Sequence, residues 1–176
     1  MAKLKLNNVR LSFPSLFTKA VFDGEATKFE ATFLIHKDDQ AKVIAQVEKH
    51  MAAFIAEKFP KGAPKALKKT CFLDGDKKDY DGYENHMALK AANKKRPTLI
   101  NRDKSPIHEE DDILYAGCYV NAIVDFWYSD HPKGGKQILA NLFGLQFVKD
   151  GEAFGAESVA DVDDFDDIED DEMFDD

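Results

Sequence analysis

The chain has 176 residues, 44% of them hydrophobic, with 14 Phe, 5 Tyr and 1 Trp. That is enough for one ordinary domain with a buried core, and no apolar run approaches the ~18 residues of a membrane span. Lys and Arg number 24 against 33 Asp and Glu, a formal charge of −9, but residues 161–176 hold 11 of the acids and no base. The remaining 160 residues carry 24 bases against 22 acids, so a slightly basic body is joined to a strongly acidic end, an asymmetry that cues nucleic-acid work or an interaction tail. The N-terminus shows no apolar run before a cleavage site, and Cys71 and Cys118 are too few for a disulfide scaffold; both features point to a reducing cytoplasm.

Lys3–Phe13 alternates with a slip. Leu4 and Leu6 share one parity and Val9, Leu11 and Phe13 the other, which predicts a strand with a bulge at Asn7-Asn8, ended or placed at an edge by Pro14. Thr27–His36 alternates cleanly, with Phe29, Ala31, Phe33 and Ile35 on one face. Asp38 is the expected N-cap of a helix running to about Phe59. Its stripe of Val43, Ile44, Val47, Met51, Phe54 and Ile55 is a packing face, and Pro60, Gly62 and Pro64 stop it.

Residues 61–104 carry 12 bases and 6 acids. Short strands are expected at Cys71–Leu73, His86–Ala91 and Pro97–Asn101, with Asp74–Glu84 as a polar loop tip. Gly117–Tyr128 and Gln137–Val148 are the two strongest strands, joined by Ser129–Lys136 with Pro132 and Gly134-Gly135. Cys118, Val120, Ala122, Val124, Phe126 and Tyr128 share one face of the first; Tyr119, Asn121, Ile123, Asp125 and Trp127 share the other. Five to seven strands and one long helix suit a mainly β, small closed or nearly closed barrel over residues 1–155, followed by an acidic tail, 156–176. The tail cannot order itself, because its charges repel and its few apolar residues do not offset the entropy of ordering.

Enzyme motifs fail when tested. Gly134-Gly135-Lys136 lacks the earlier glycine and the following Ser or Thr of a phosphate loop. Aligning Gly82 with the turn glycine of a calcium loop puts Lys77 and Ala88 at ligand positions, where neither can ligate. The cysteines and the five His are scattered, so no structural zinc or other cofactor is expected. Glu109-Glu110-Asp111-Asp112 are consecutive and point in different directions, and Asp125 has no second carboxylate on its face.

Single-strand binding has positive support. Proteins that hold single strands join a basic groove to aromatic faces on which bases stack. Tyr80 and Tyr83 are interleaved with Lys77, Lys78 and Lys90; Lys94, Lys95, Arg96 and Arg102 follow; Tyr119, Asn121 and Trp127 share a strand face. These are the candidate DNA contacts, although Tyr119 and Trp127 also fit a second core layer, and Tyr80 and Tyr83 fit loop anchoring. The tail reads two ways, as a solubiliser or as a mimic of a nucleic-acid strand in which Phe165 and Phe174 replace bases among acids such as Asp170, Asp171, Asp175 and Asp176. At ~3.3 Å per residue the 16-residue tail reaches ~50 Å, ample against a body radius of gyration of ~15 Å.

Ala116-Gly117-Cys118-Tyr119-Val120-Asn121-Ala122, Gly151-Glu152-Ala153-Phe154-Gly155 and the acidic end Phe174-Asp175-Asp176 resemble tailed-phage single-stranded DNA-binding proteins, over nearly the whole chain. The resemblance implies an OB-fold barrel, no cofactor, and a role in phage DNA replication and recombination in the cytoplasm of an infected bacterium. It departs from the usual OB-fold in its long helix, which precedes the later strands. The expected partners are single-stranded DNA, duplex DNA more weakly and mainly without the tail, phage or host replication proteins through the tail, and a second copy through strand edges; no membrane is expected. A magnesium-dependent nuclease or recombination enzyme and an acidic, chaperone-like protein are the alternatives.

Overall fold

The computed structural model describes residues 3–22, 24–154, 162 and 165–168. The strands are β1 (Leu4–Ser15), β2 (Val21–Phe22), β3 (Glu25–Ala26), β4 (Phe29–His36), β5 (Phe72–Asp74), β6 (His86–Asn93), β7 (Thr98–Ile100), β8 (Tyr119–His131) and β9 (Gly135–Lys149), with one α-helix, α1 (Ala41–Lys58), after β4. Seven strands form one sheet in the order β5-β6-β4-β1-β8-β9-β7, and β2 pairs only with β3. A parallel contact of Ala92 on β6 with Asn141 on β9 closes β1, β4, β6, β8 and β9 into a five-stranded barrel. This is the mainly β, OB-type barrel that the resemblance implies. The two-residue strands β2 and β3 are too short to leave an alternation signal, which is why the sequence does not show them. The helix enters between the second and third barrel strands.

The expected bulge is present. The β1–β8 register slips between Leu6 and Val9, and Asn8 takes a φ of +55°, a left-handed conformation that Asn tolerates well. The backbone groups freed there are satisfied: Asn8 N–H donates to Asn121 Oδ1 at 2.9 Å, and Gln40 Nε2 donates to the Asn8 carbonyl at 2.8 Å. A second slip, between Ser12 and Ser15 on the β4 side, contains Pro14 and Phe13, the latter at a φ of +43°. It turns the Phe13 ring out to solvent, 56% exposed, where the sequence alternation puts it on the core parity.

Two local expectations need correction. The N-cap of α1 is Gln40, with no side-chain cap bond, and the Asp38 carboxylate accepts instead from Asn85 Nδ2 at 2.8 Å. Two further residues of turn, Asp39 and Gln40, separate Asp38 from the helix, and its side chain is spent on the neighbouring loop. The connection from β8 to β9 is also tighter than Ser129–Lys136: Ser129, Asp130 and His131 pair with Gln137, Lys136 and Gly135. The apolar stripe of α1 behaves as expected, with Val47 and Met51 buried against the barrel and Val43, Ile44, Phe54 and Ile55 partly covered. Each fully buried side chain of this kind is worth about 1.5–3 kcal/mol. The barrel interior holds Leu6, Val9, Leu11, Phe33, Ile35, Leu89, Val120, Val124, Ile138, Leu142 and Leu145. None of the described helices is long and apolar enough to cross a membrane.

Candidate nucleic-acid interface

Strand parity decides what the outer face presents. On β4, Ala31, Phe33 and Ile35 enter the barrel, so Glu30 and Thr32 face outward; on β6, Leu89 and Ala91 enter, so Lys90 faces outward. A concavity lies over these outward residues, lined also by Phe13, Thr70, Leu73, Lys78, Tyr80 and Tyr83. A second concavity shares Glu30, Thr70, Cys71 and Lys90 with it and continues to Lys28, Trp127, Gln137 and Leu139. Together they form one groove across the second and third barrel strands, ending on the β8–β9 hairpin. The corresponding strands and loops are the ones by which OB-folds hold oligonucleotides.

The groove has aromatic surface at both ends. At one end Phe13 and Tyr80, 56% and 52% exposed, meet edge to face with ring centroids 5.1 Å apart. Tyr80 rests on Tyr83 at 5.2 Å. Tyr83 is itself buried, 3% exposed, and its hydroxyl lies 3.0 Å from Ser12 Oγ. Burial pushes its phenol above the usual tyrosine value, so it stays protonated and hydrogen-bonding. The polar loop tip Asp74–Glu84 is thus built around one buried ring, with Tyr83 anchoring it. At the other end Lys28 stands over the Trp127 ring, 5.5 Å from its centroid.

Lys28, Lys78 and Lys90 supply positive charge along the groove, and Lys90 also pairs with Glu30 at 3.4 Å. Two acids of the adjoining loop, Asp74 and Asp76, are engaged in holding it. Lys37 Nζ donates to Asp74 Oδ1 and Asp76 Oδ2, both at 2.6 Å, and Asn85 N–H donates to Asp76 Oδ1 at 2.8 Å. The hydrogen bond from Lys37 holds Asp74 below the usual carboxylate value; for Asp76 the Asn85 N–H is the larger cause and Lys37 the next. Among the described residues no group of three or more His, Cys, Asp or Glu is placed to hold a metal ion. Glu109–Asp111 form a short 3-10 turn, with Asp111 Oδ2 accepting from His108 N–H at 2.8 Å, and Asp125 faces His50 Nε2 at 3.5 Å. Both cysteines are free and buried; burial pushes the Cys71 thiol up to about 12, so it is not a nucleophile at neutral pH.

Of the residues singled out in the sequence, the groove brings together Lys78, Tyr80, Tyr83, Lys90 and Trp127. Lys77 ends the 3-10 turn Gly75–Lys77 beside it, exposed. Lys94 and Lys95 are exposed in the turn after β6, while Arg96 donates to the Phe17 carbonyl and lies in a different concavity with Glu109 and Glu110. The Arg102 carbonyl accepts from Gln146 Nε2 at 3.2 Å, and this residue too is off the groove. Tyr119 sits between Arg10 and Lys149, and Asn121 bonds the β1 bulge and Gln146. Phe165 is 72% exposed; Asp170, Asp171, Phe174, Asp175 and Asp176 lie outside the described residues. Sequence reasoning misses Phe13, whose parity hides it, and Lys28, which stands outside the basic 61–104 run. The change of alternation around Pro14 is the one local signal that could have exposed Phe13.

Fold and groove together give an OB-type barrel whose outer groove joins lysines to aromatic rings. Residues 2–174 match the family model described as "Enterobacter phage Enc34, ssDNA-binding protein", and the chain belongs to that family. It is 41% identical over 175 residues to "Putative protein p50" of Acyrthosiphon pisum secondary endosymbiont phage 1, covering 94% of each chain. It is similar to the single-stranded DNA-binding protein from bacteriophage Enc34 solved in complex with ssDNA, at 27% identity and a TM-score of 0.73, covering 87% of this chain and 89% of that one. A C-terminal truncation of the same phage protein matches at 28% identity and a TM-score of 0.70, covering 86% and 88%.

Proposed function

We propose that this protein binds single-stranded DNA in the groove over β4, β6 and β9, without catalysis, and serves phage DNA replication and recombination in an infected bacterium. The observation that carries the reading is the joining of outward-facing Phe13, Tyr80 and Trp127 to Lys28, Lys78 and Lys90 in one groove. Its support from outside the chain is a family neighbour solved with ssDNA. Phosphates lie along the lysines and bases stack on the rings, a mode indifferent to sequence because every base has a π-face. The acidic tail competes for this groove when DNA is absent. Once DNA displaces it, the tail is free to recruit replication proteins through its phenylalanines.

The test is a gel shift with a labelled oligonucleotide, with and without magnesium. Magnesium-independent binding that leaves the strand intact is expected. Cleavage of the strand favours the nuclease alternative, and absence of binding favours the acidic, chaperone-like one; either overturns the proposal.

A further inference from the structure

Phe154 is half-buried and is not among the residues that line the groove. It packs with Leu34, Tyr83 and Ala88 in a small cluster separate from the barrel interior. The loop opposite leaves its ring no spare room: a Cβ on Gly82, whose φ is +83°, would fall 2.2 Å from the ring. The guanidinium of Arg10 stands 4.1 Å from the ring centroid. Arg10 also donates to the Gly117 carbonyl at 3.0 Å and to the Glu152 carbonyl at 2.6 Å. Phe154 N–H donates to the Ala116 carbonyl at 3.0 Å, and Gly151 N–H to the Tyr115 hydroxyl at 3.0 Å. The backbone before Phe154 is thus pinned to β1 and to the turn leading into β8, and the ring is pinned with it.

We propose that Phe154 is a positioning residue for base stacking: wedged behind Tyr83, it holds the platform made by Tyr80 and Phe13. The contacts run in series. Phe154 backs Tyr83, whose hydroxyl is fixed by Ser12; Tyr80 stands on Tyr83; and Phe13 meets both rings, at 5.1 Å from Tyr80 and 6.2 Å from Tyr83. Losing the wedge leaves Tyr83 with an empty wall, and the loop relaxes into it, taking Tyr80 out of register with Phe13. The lysines of the groove do not rest on Phe154, so phosphate contacts are kept.

The inference rests on the groove being the DNA site, and the experiment separates the two. Full-length wild type, Phe154→Ala and Tyr80→Ala are titrated with an ordinary oligonucleotide and with an abasic one of equal length. Phe154→Ala is expected to weaken the ordinary strand about tenfold, the scale of one lost stack. It should leave the abasic strand within about twofold and the salt dependence unchanged, since phosphate contacts set both. If Phe154→Ala loses its native near-ultraviolet circular dichroism, Phe154→Leu replaces it; leucine still fills the space against Leu34 and Ala88, and a smaller loss of the same pattern is expected. Unchanged affinity for the ordinary strand in the folded variant, or equal loss on both strands, overturns the positioning role. If Tyr80→Ala weakens binding and Phe154→Ala does not, the groove stands and the wedge falls; if neither matters, both fall.

Discussion

Replacing Trp127 by Ala isolates stacking from both fold and charge. Trp127 is half-buried on the outward parity of β8, opposite Leu139 on β9 and beneath Lys28. Its neighbour Phe126 points inward and is 4% exposed. Truncating a fully buried aromatic costs about 3–5 kcal/mol of stability, the expectation for Phe126→Ala. Trp127 is only partly buried and lies on the outer face of the barrel, so Trp127→Ala should cost less than Phe126→Ala and leave the protein folded. Loss of one stacked base costs about 1–3 kcal/mol of binding, which raises Kd by about 5- to 150-fold. Anisotropy of a labelled oligonucleotide at several salt concentrations measures it. The log–log salt slope should stay at the wild-type value while the whole line drops, because Lys28, Lys78 and Lys90 remain. Wild-type affinity in folded Trp127→Ala would remove this end of the groove from the DNA path.

The same titrations test the charges: replacing Lys28, Lys78 and Lys90 by Ala should reduce the slope by about 2, at ~0.7 per single-strand phosphate contact. Replacing Lys94, Lys95 and Arg96, which lie off the groove, should change it much less. Deleting residues 161–176 removes 11 acids, and at low salt should raise single-strand affinity and permit duplex binding in a gel shift. That gain should fade at physiological ionic strength, where screening acts over ~8 Å, and its absence at low salt would leave the tail a solubiliser. Asp74 and Asp76 have carboxyls lowered in the fold, so the support they give the loop is present above the ordinary value of 3.8 and is lost as pH falls through their lower folded values. Amide protection at Tyr80–Glu84 should drop over that acid range, and Lys37→Met should lower it already at neutral pH; protection that ignores both changes would show the ion pairs to be idle.

Several features of this protein are written locally. The parity change at Asn7-Asn8 is the β1 bulge, because a strand can keep both flanking apolar sets inside only by inserting a residue. The stripe from Val43 to Ile55 packs α1 on the barrel, because 3.6-residue spacing puts those side chains on one side of any helix. The long alternations of β8 and β9 pair as a hairpin for the same kind of reason. Tyr83 is less legible: its neighbours along the chain are polar, and it is buried by Leu34, Ala88 and Phe154, none of them adjacent to it in sequence.

The acidic end, the basic body and the family motifs are properties of the sequence alone, since charge and short motifs need no partner strand to exist. The groove is a property of the closed barrel. Lys28 is far along the chain from both Trp127 and Gln137, and the three share a concavity because β6 meets β9 at Ala92 and Asn141. Phe13 joins Tyr80 only because the β1–β4 ladder slips between Ser12 and Ser15. Alternation along one strand tells which side chains leave the core. Which of those side chains meet outside it depends on strand order, register and closure, and these are fixed by pairings between residues far apart in the chain.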